Sequence, residues 1–384
     1  MSILKGIKLA MDGRILNRPG SGIATYAAQL REAQLSLQPE ASLIVDDDCA
    51  LHFRSDNIVT ISKRSLVARF CNSQPALRQS DIGENDLYAA DIYRLAAARF
   101  RRHFRMTSLR PTVAETSGRR HLVHWSLPLP VRIDGWVNIY TVHDVIPMTH
   151  PELTPMDAER HAKLLDIVMR QADHIVTVSD HARSEIIRVT GCPADRVTNC
   201  GVAVRPAGAG APLPLSLRSK DYFIYVGSGE KRKNIDRIVE AHSIGGADVP
   251  LVLVGDHHQY RDKNLNIFCL PHQPEIVINS LIHHALALVF PSLVEGFGLP
   301  VAEAMAAGTA VLTSDRGALA EVAGQAALLV DPEDVDAIAN GFRRLVFDEA
   351  LRQYYERAGP LQVSKFSQAG FAKRIEALYA ALAC

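Results

Sequence analysis

Two carboxylates, Glu295 and Glu303, stand in the segment Phe290-Pro-Ser-Leu-Val-Glu-Gly-Phe-Gly-Leu-Pro-Val-Ala-Glu-Ala-Met305 with seven residues between them. The segment reads as a strand, a glycine loop and a helix, so Glu295 lies in the loop and Glu303 one turn into the helix. Gly296 and Gly298 would let the backbone come close to a ligand, and Pro300 suits a first helical turn, where its missing N–H costs nothing. Free amides around Phe297–Leu299, at the positive end of the helix, favour a phosphate or sugar hydroxyls. A loop carboxylate can accept hydrogen bonds from one sugar, and the helical one can bind a second diol. Two acids capping a helix start would give the same spacing.

A second group, Tyr225-Val-Gly-Ser-Gly-Glu-Lys-Arg-Lys-Asn-Ile235, ends a strand in a Gly-Ser-Gly turn around Ser228. Lys231, Arg232 and Lys233 follow, just before an amphipathic helix. Cations beside a helix N-terminus are what a pyrophosphate leaving group needs, although an exposed charge run would look alike. The turn matches neither of the common glycine-rich phosphate signatures, which weakens triphosphatase and nicotinamide readings. Third, Ile139-Tyr-Thr-Val-His-Asp-Val-Ile-Pro147 closes a strand on His143-Asp144, where an imidazole reaches a cleft or is simply structural. Fourth, Gly20-Ser21-Gly22 ends the Arg14–Gly22 loop and admits a phosphate or acceptor, or only turns the chain.

Other groups carry less. Asp46-Asp47-Asp48 suggests a divalent cation, but that D-x-D arrangement belongs to a single-domain fold, and we read it as a solvated strand end. In His257-His258 and His283-His284, adjacent residues of a regular strand cannot face one zinc ion. A Gly-x-Ser-x-Gly nucleophile motif is absent.

Positioning these loops takes alternating strands and helices. Strands are expected at Gly6–Met11, Ser42–Val45, Leu122–His124, Asn138–Thr141 and His174–Val178, and helices at Gly22–Ser36, Met156–Gln171 and Ser179–Thr190. Ile23, Tyr26, Ala27, Leu30 and Ala33 form the apolar stripe of the first helix. The Pro- and Gly-rich run Arg205–Pro214 reads as a linker. Beyond it the alternation restarts, with strands at Tyr222–Val226, Pro250–Val254, Leu286–Phe290 and Ala310–Thr313 and helices at Ile235–Ser243, Val301–Ala307, Val335–Phe347 and Gln368–Leu382. The expected divisions are residues 1–205, a linker at 206–215, a second domain at 216–365, and a last helix at 366–384 packing back on the first. Two doubly wound α/β domains across a cleft follow, with ligands outside the carboxyl ends of the strands.

At 384 residues, 22 % charged and 47 % hydrophobic, the chain is an ordinary globular one of two domains. It contains no apolar run long enough for a membrane helix, and its start lacks a signal peptide's core. Six scattered cysteines suggest free thiols in a reducing cytoplasm. Positive and negative residues balance at 42 each, which argues against nucleic-acid binding. The local exception runs from Arg94 to Arg120, eight arginines against Glu115 alone. Arg99, Arg101, Arg102 and Arg105 are interleaved with Tyr93, Phe100, Phe104, Met106 and Leu109, so a helix could set a basic face beside an aromatic one and lie on an anionic membrane. An ordinary solvated helix is the alternative.

Taken together, Met11-Asp-Gly-Arg14 with Gly22 and Tyr26, His143-Asp144, Ser228–Asn234, the Glu295/Glu303 pair, and Ser314–Gly324 with Leu329–Pro332 resemble family 4 of the retaining glycosyltransferases, especially its bacterial mannosyltransferases. The resemblance spans nearly the whole chain and implies the GT-B fold, two Rossmann-like domains facing across a cleft. It implies a nucleotide-sugar donor in the second domain, GDP-mannose favoured, and a glycan acceptor, lipid-linked, in the first. Glu303 would then bind ribose hydroxyls, Glu295 and His143 would meet the sugar, and the amides of Gly296, Phe297, Gly298 and Leu299 would contact sugar and phosphate. Lys233 with Arg232 would hold the pyrophosphate, with Ser228 and Gly22 nearby, and backbone around Leu270 would meet the base. No metal cofactor is expected. Family members often have proline where Lys231 stands, Asn-Gly where Cys200-Gly201 stands, and arginine near Ser228. The implied activity is retaining hexosyl transfer in surface polysaccharide or O-antigen synthesis, at the inner face of the membrane. A catalytically silent GT-B module that binds sugar nucleotide or glycan in an assembly is the alternative.

Overall fold

The computed structural model describes residues 4, 6–17, 20–46, 75–79, 85–111, 121–205, 210–213, 217–246, 248–261 and 266–383. They form two sheets. The first takes β1 (Leu9–Asp12), β2 (Ser42–Val45), β3 (Ala76–Gln79), β4 (Leu87–Tyr88), β5 (Thr107–Pro111), β6 (Leu122–Trp125), β7 (Val131–Ile133), β8 (Val137–Thr141), β9 (His174–Thr177) and β10 (Val197–Asn199), in the order β10-β9-β8-β6-β1-β2-β4-β3-β5-β7. Its pairs are parallel except β3 against β4. The second takes β11 (Phe223–Val226), β12 (Leu251–Val254), β13 (Ile267–Leu270), β14 (Ala287–Phe290), β15 (Ala310–Ser314) and β16 (Leu328–Val330), all parallel, in the order β13-β12-β11-β14-β15-β16. Central strands such as Leu251-Val-Leu-Val254 are buried along their whole length, as strands covered on both faces must be. In both sheets the strand order turns back beside the first strand, between β1 and β6 and between β11 and β14, where a doubly wound sheet opens a crevice.

The first helix, α1 (Gly22–Leu37), starts at Ser21, whose hydroxyl accepts from the Ala24 amide at 3.2 Å. Tyr26, Ala27, Leu30 and Ala33 are buried as their spacing predicts, but Ile23 is 37 % exposed. The helix is rolled so that Gln29 and Gln34 are buried instead: Gln29 accepts from the Ala203 amide at 3.1 Å, and Gln34 meets the end of the chain. There α12 (Gln368–Leu382) returns to the first sheet: Gln34 donates to the Tyr379 hydroxyl at 2.9 Å, and Arg374 donates to the Cys200 carbonyl at 2.7 Å.

Three expectations need correction or limits. Asp46 directly follows β2 and is buried rather than solvated, while Asp47 and Asp48 lie outside the described residues. The aromatic side of the arginine-rich stretch is core. In α2 (Ile92–His103) Tyr93 and Phe100 are buried, the Tyr93 hydroxyl donates to the Ile44 carbonyl at 2.9 Å, and Leu109 is buried in β5. Only Phe104 is exposed, beneath the Lys163 ammonium at 4.4 Å. Arg101, Arg102 and Arg105 are exposed and Arg99 half-buried; Arg119 and Arg120 lie outside the described residues. Cys192, Cys200 and Cys269 are free and buried; the other three cysteines and most of the expected linker are also outside. Among the described residues no helix is long and apolar enough to cross a membrane.

Candidate active site

The four groups that could carry chemistry each follow the carboxyl end of a strand, β1, β8, β11 or β14, and Gly296 of the second sheet's loops meets His143 of the first. From the second sheet, β11 leads through Gly227–Glu230 and a single 3-10 turn, Lys231–Lys233, into α6 (Ile235–Gly245). Asn234 makes that junction in the left-handed region at φ 63°, its amide donating to the Pro291 and Pro332 carbonyls at 2.9 and 2.6 Å. This ties the cationic turn to the loop after β14. That loop runs into α8 (Leu299–Ala306), with Pro300 in its first turn.

Glu295 and the cations form one cluster. Arg232 reaches Glu295 Oε2 at 2.6 Å and Lys233 reaches Oε1 at 2.7 Å. Arg232 also bonds Glu230 at 2.8 Å, and Ser228 donates to the other Glu230 oxygen at 2.9 Å. The Lys233 ammonium lies 4.8 Å from the centre of the Phe290 ring. Burial pushes the Glu295 carboxyl upward, but Lys233 and then Arg232 outweigh it and hold it below the ordinary carboxylate range. Arg232 is likewise held charged against burial, by Glu295, Glu230 and Asp144. Two cations and two carboxylates cancel. The cluster is a pre-set array of opposed charges, not the free positive patch that the run of three cations suggests.

Glu303 shares the segment but not the environment. Half-buried in α8, it has its carboxyl raised to about 7, by burial first and then by Glu275. Leu270 ends β13, its carbonyl accepting from the Gly255 amide at 2.9 Å. Ser228 is exposed, with Glu230 as its partner.

The first sheet supplies the opposite wall. His143 follows β8, and its Nε2 lies 2.9 Å from the Ser126 carbonyl; a carbonyl only accepts, so Nε2 carries the proton. Burial pushes this imidazole below its ordinary value, so it is neutral with Nδ1 as an acceptor. Ser126 is in turn held by the buried Asp12, which accepts from its amide and, at 2.8 Å, its hydroxyl. The glycines also serve packing. A Cβ on Gly296 would stand 2.8 Å from the His143 carbonyl, so Gly296 lets the two halves meet. Gly298 sits at φ 101° against Leu319, and Gly22, first in α1, faces Leu299 at 3.3 Å from where its Cβ would be. Phe297 is buried edge-on against Phe366 at 5.2 Å, so only its backbone can serve a ligand.

Contacts that sequence reasoning missed lock this arrangement. Ser179 donates to the Gly296 carbonyl at 2.7 Å. Glu321 of α9 (Gly317–Ala323) accepts from the Asp180 and His181 amides at 2.9 and 2.8 Å, capping α5 (Asp180–Thr190) from the other half. Nothing local marks Glu321 among alanines as an interdomain cap. Glu230 and Ser126 were also missed, since their roles depend on distant partners. A cavity of about 290 Å³ opens beside this wall, lined by Arg14, Tyr93, Phe100, Asp157, Arg160, His161 and neighbouring apolar residues. Asp144 links it to the cluster: its charge acts on both His161 and Arg232, and its Cβ stands 3.1 Å from where a Gly296 Cβ would be.

The family model described as glycosyl transferases group 1 matches residues 215–362. O-antigen chain mannosyltransferase B of Escherichia coli is 34 % identical over 263 residues, 62 % of this chain and 68 % of that protein. The serotype-specific mannosyltransferase WbdA of Escherichia coli is 28 % identical over 275 residues, 65 % of this chain but only 34 % of that longer protein. Among solved structures, sucrose-phosphate synthase from Thermosynechococcus elongatus superposes with a TM-score of 0.69 at 17 % identity, covering 98 % of this chain and 99 % of that one. Anabaena HepE in complex with UDP and glucose gives 0.66 at 14 %, covering 98 % and 100 %. With the fold of the GT-B glycosyltransferases, the chain belongs to the group 1 glycosyl transferases and is, within them, like the bacterial mannosyltransferases.

Proposed function

We propose that this chain transfers a mannosyl group from GDP-mannose, with retention of configuration, to a glycan acceptor during surface polysaccharide synthesis. The observation that carries this reading is the Arg232–Glu295–Lys233 cluster set at the reversal point of the second sheet, opposite His143. As the bond between the anomeric carbon and the diphosphate oxygen breaks, negative charge grows on the departing phosphate. Arg232, Lys233 and the amides opening α8 meet that charge, a role that asks for no metal. Glu295, kept ionised, accepts from sugar hydroxyls while steadying both cations. The acceptor oxygen attacks the same face, and its proton passes to the leaving phosphate. Glu303 holds the ribose diol, with backbone near Leu270 against the base. His143 offers its bare Nδ1 to the sugar.

The acceptor enters the cavity between α2 and α4 (Ala158–Gln171), where Arg14 and Arg160 rim an apolar floor. The exposed Arg101, Arg102 and Arg105 at the end of α2 favour an anionic membrane and a lipid-linked acceptor through charge alone, since the aromatic face is core. Similarity to O-antigen and serotype-specific mannosyltransferases supports the sugar and the process. Product NMR after incubation with GDP-mannose and acceptor tests the reaction: inversion at the anomeric carbon, or no donor turnover at all, defeats it. The latter result would favour a silent sugar-nucleotide-binding module. Flotation with anionic liposomes, fading with salt and lost on charge reversal of Arg101, Arg102 and Arg105, tests the membrane surface.

A further inference from the structure

Beneath His143 lies a chain of buried polar groups that begins on the last helix. Gln34 of α1 donates to the Tyr379 hydroxyl at 2.9 Å, which lies 2.8 Å from His124 Nδ1. His124 Nε2 is 2.8 Å from the Thr141 hydroxyl, and that hydroxyl is 2.9 Å from the Tyr26 hydroxyl. All five residues are buried. Burial, then His174 and His143, push the His124 imidazole down to about 3, so its ring is neutral. One nitrogen donates and the other accepts, which orients the hydroxyls on either side in a single sense. The chain ends at Tyr26, whose ring stands edge-on to the His143 ring at 4.8 Å, with Phe371 of α12 5.7 Å away on the same tyrosine. His143 is thus gripped at two places, by the Ser126 carbonyl and by the Tyr26 ring.

From this geometry we infer that Tyr26 is a positioning residue for His143, and that Tyr379 of the last helix sets Tyr26 through His124 and Thr141. A chain of neutral hydrogen bonds in a dry interior is stiff, since a lost partner leaves a buried group unpaired. Swinging Tyr379 or Thr141 away would free the Tyr26 ring to tilt and let the imidazole leave its line. The last helix, which belongs to neither set of ligand loops, thereby acts on transfer. The inference rests on the reading that His143 faces the transferred sugar.

Tyr379→Phe removes one hydroxyl and keeps the ring. It should lower kcat about tenfold, as small misplacements at a reacting centre do. Inhibition by the free nucleoside diphosphate should not change, because the cations facing it stand in the other sheet. Tyr26→Phe should lose as much, and the double variant no more than the larger single loss, since both break one chain. In a His143→Gln background Tyr379→Phe should change kcat by less than about twofold. If Tyr379→Phe fails to fold, Thr141→Val breaks the same chain at another link. A folded Tyr379→Phe with normal kcat, or losses that multiply in full on His143→Gln, overturns the inference while the site reading stands. Normal turnover in His143→Gln overturns both.

Discussion

The two walls of the cleft are held by opposite means. In the second sheet the loops after β11 and β14 are tied by full charges, with Arg232 and Lys233 on Glu295 and Arg232 again on Glu230. In the first sheet the loops after β1, β6 and β8 are tied by neutral or singly charged hydrogen bonds, through Asp12, Ser126, His124, Thr141 and Tyr26. The difference suits what each wall is proposed to face. A leaving diphosphate brings negative charge, and opposed charges already in place can answer it without reorganising. A sugar and an acceptor bring hydroxyls, which need fixed direction more than field. The same contrast recurs within one segment, where Glu295 is kept ionised by two cations and Glu303, eight positions later, is pushed toward its neutral form.

The largest break in this comparison is Glu295→Gln. Turnover should fall at least about a hundredfold, as when a preorganised electrostatic group is removed. The fold should also weaken by about 3 kcal/mol, because two nearly buried cations lose their carboxylate. Although it lies in a loop, the Glu295 side chain is only 9 % exposed. Kinetics and thermal melts check both parts, and an unchanged melting point would show the cluster to be loosely held. Lys233→Ala should weaken donor binding by about 1.5–3 kcal/mol, read by titration calorimetry with GDP-mannose.

Gly296→Ala strikes the join between the walls. Its Cβ would stand 2.8 Å from the His143 carbonyl, so the halves must part by several tenths of an ångström. We expect kcat to drop about tenfold, with the melting point of each half preserved in calorimetry. Equal activity in the alanine variant would mean that the contact is not needed in the working state.

The Glu303 contrast can be sharpened by pH. With its carboxyl raised to about 7, the acid is mostly protonated at pH 6 and mostly ionised at pH 8. A ribose diol donates to the ionised form, so the donor KM should fall up to about tenfold across that range, and Glu303→Gln should flatten the profile. Stability carries the opposite sign. A raised carboxyl contributes stability that is full below its ordinary value of 4.5 and is lost as pH climbs through about 7. The smallest effect belongs to Ser228→Ala. Its hydroxyl is exposed and engaged only with Glu230, so kcat/KM should move less than about twofold. A large loss would give Ser228 the phosphate contact that the family resemblance implies.

Much of this was legible in the residues themselves. Strand-loop-helix order, the placement of Pro300, and the helices Val335–Phe347 and Gln368–Leu382 all follow from local pattern, because periodicity and capping act within a few residues. Elements with mixed signals did not. The helix α11 (Glu349–Val363) carries Pro360 three residues before its end, and the short strand β16 has only three residues to show a pattern. The aromatic face expected beside the basic stretch became core for a different reason. Arg99, Arg102, Phe100 and Phe104 are spaced as a surface helix would space them, but spacing does not say which face meets a sheet. Tyr93 went inward onto β2, and Phe100 is buried beside the cavity.

By itself, then, the sequence determined which residues sit at strand ends and therefore which can reach a cleft, since that depends on neighbours along the chain. Only the tertiary structure decided what those residues meet there. That Glu295 joins Arg232 and Lys233, that Gly296 yields to the His143 carbonyl, and that Tyr379 reaches Tyr26 through His124 are pairings across 62 to more than 300 positions. Burial and charge pairing are set by whatever the fold brings alongside, and no local pattern encodes a partner so far away.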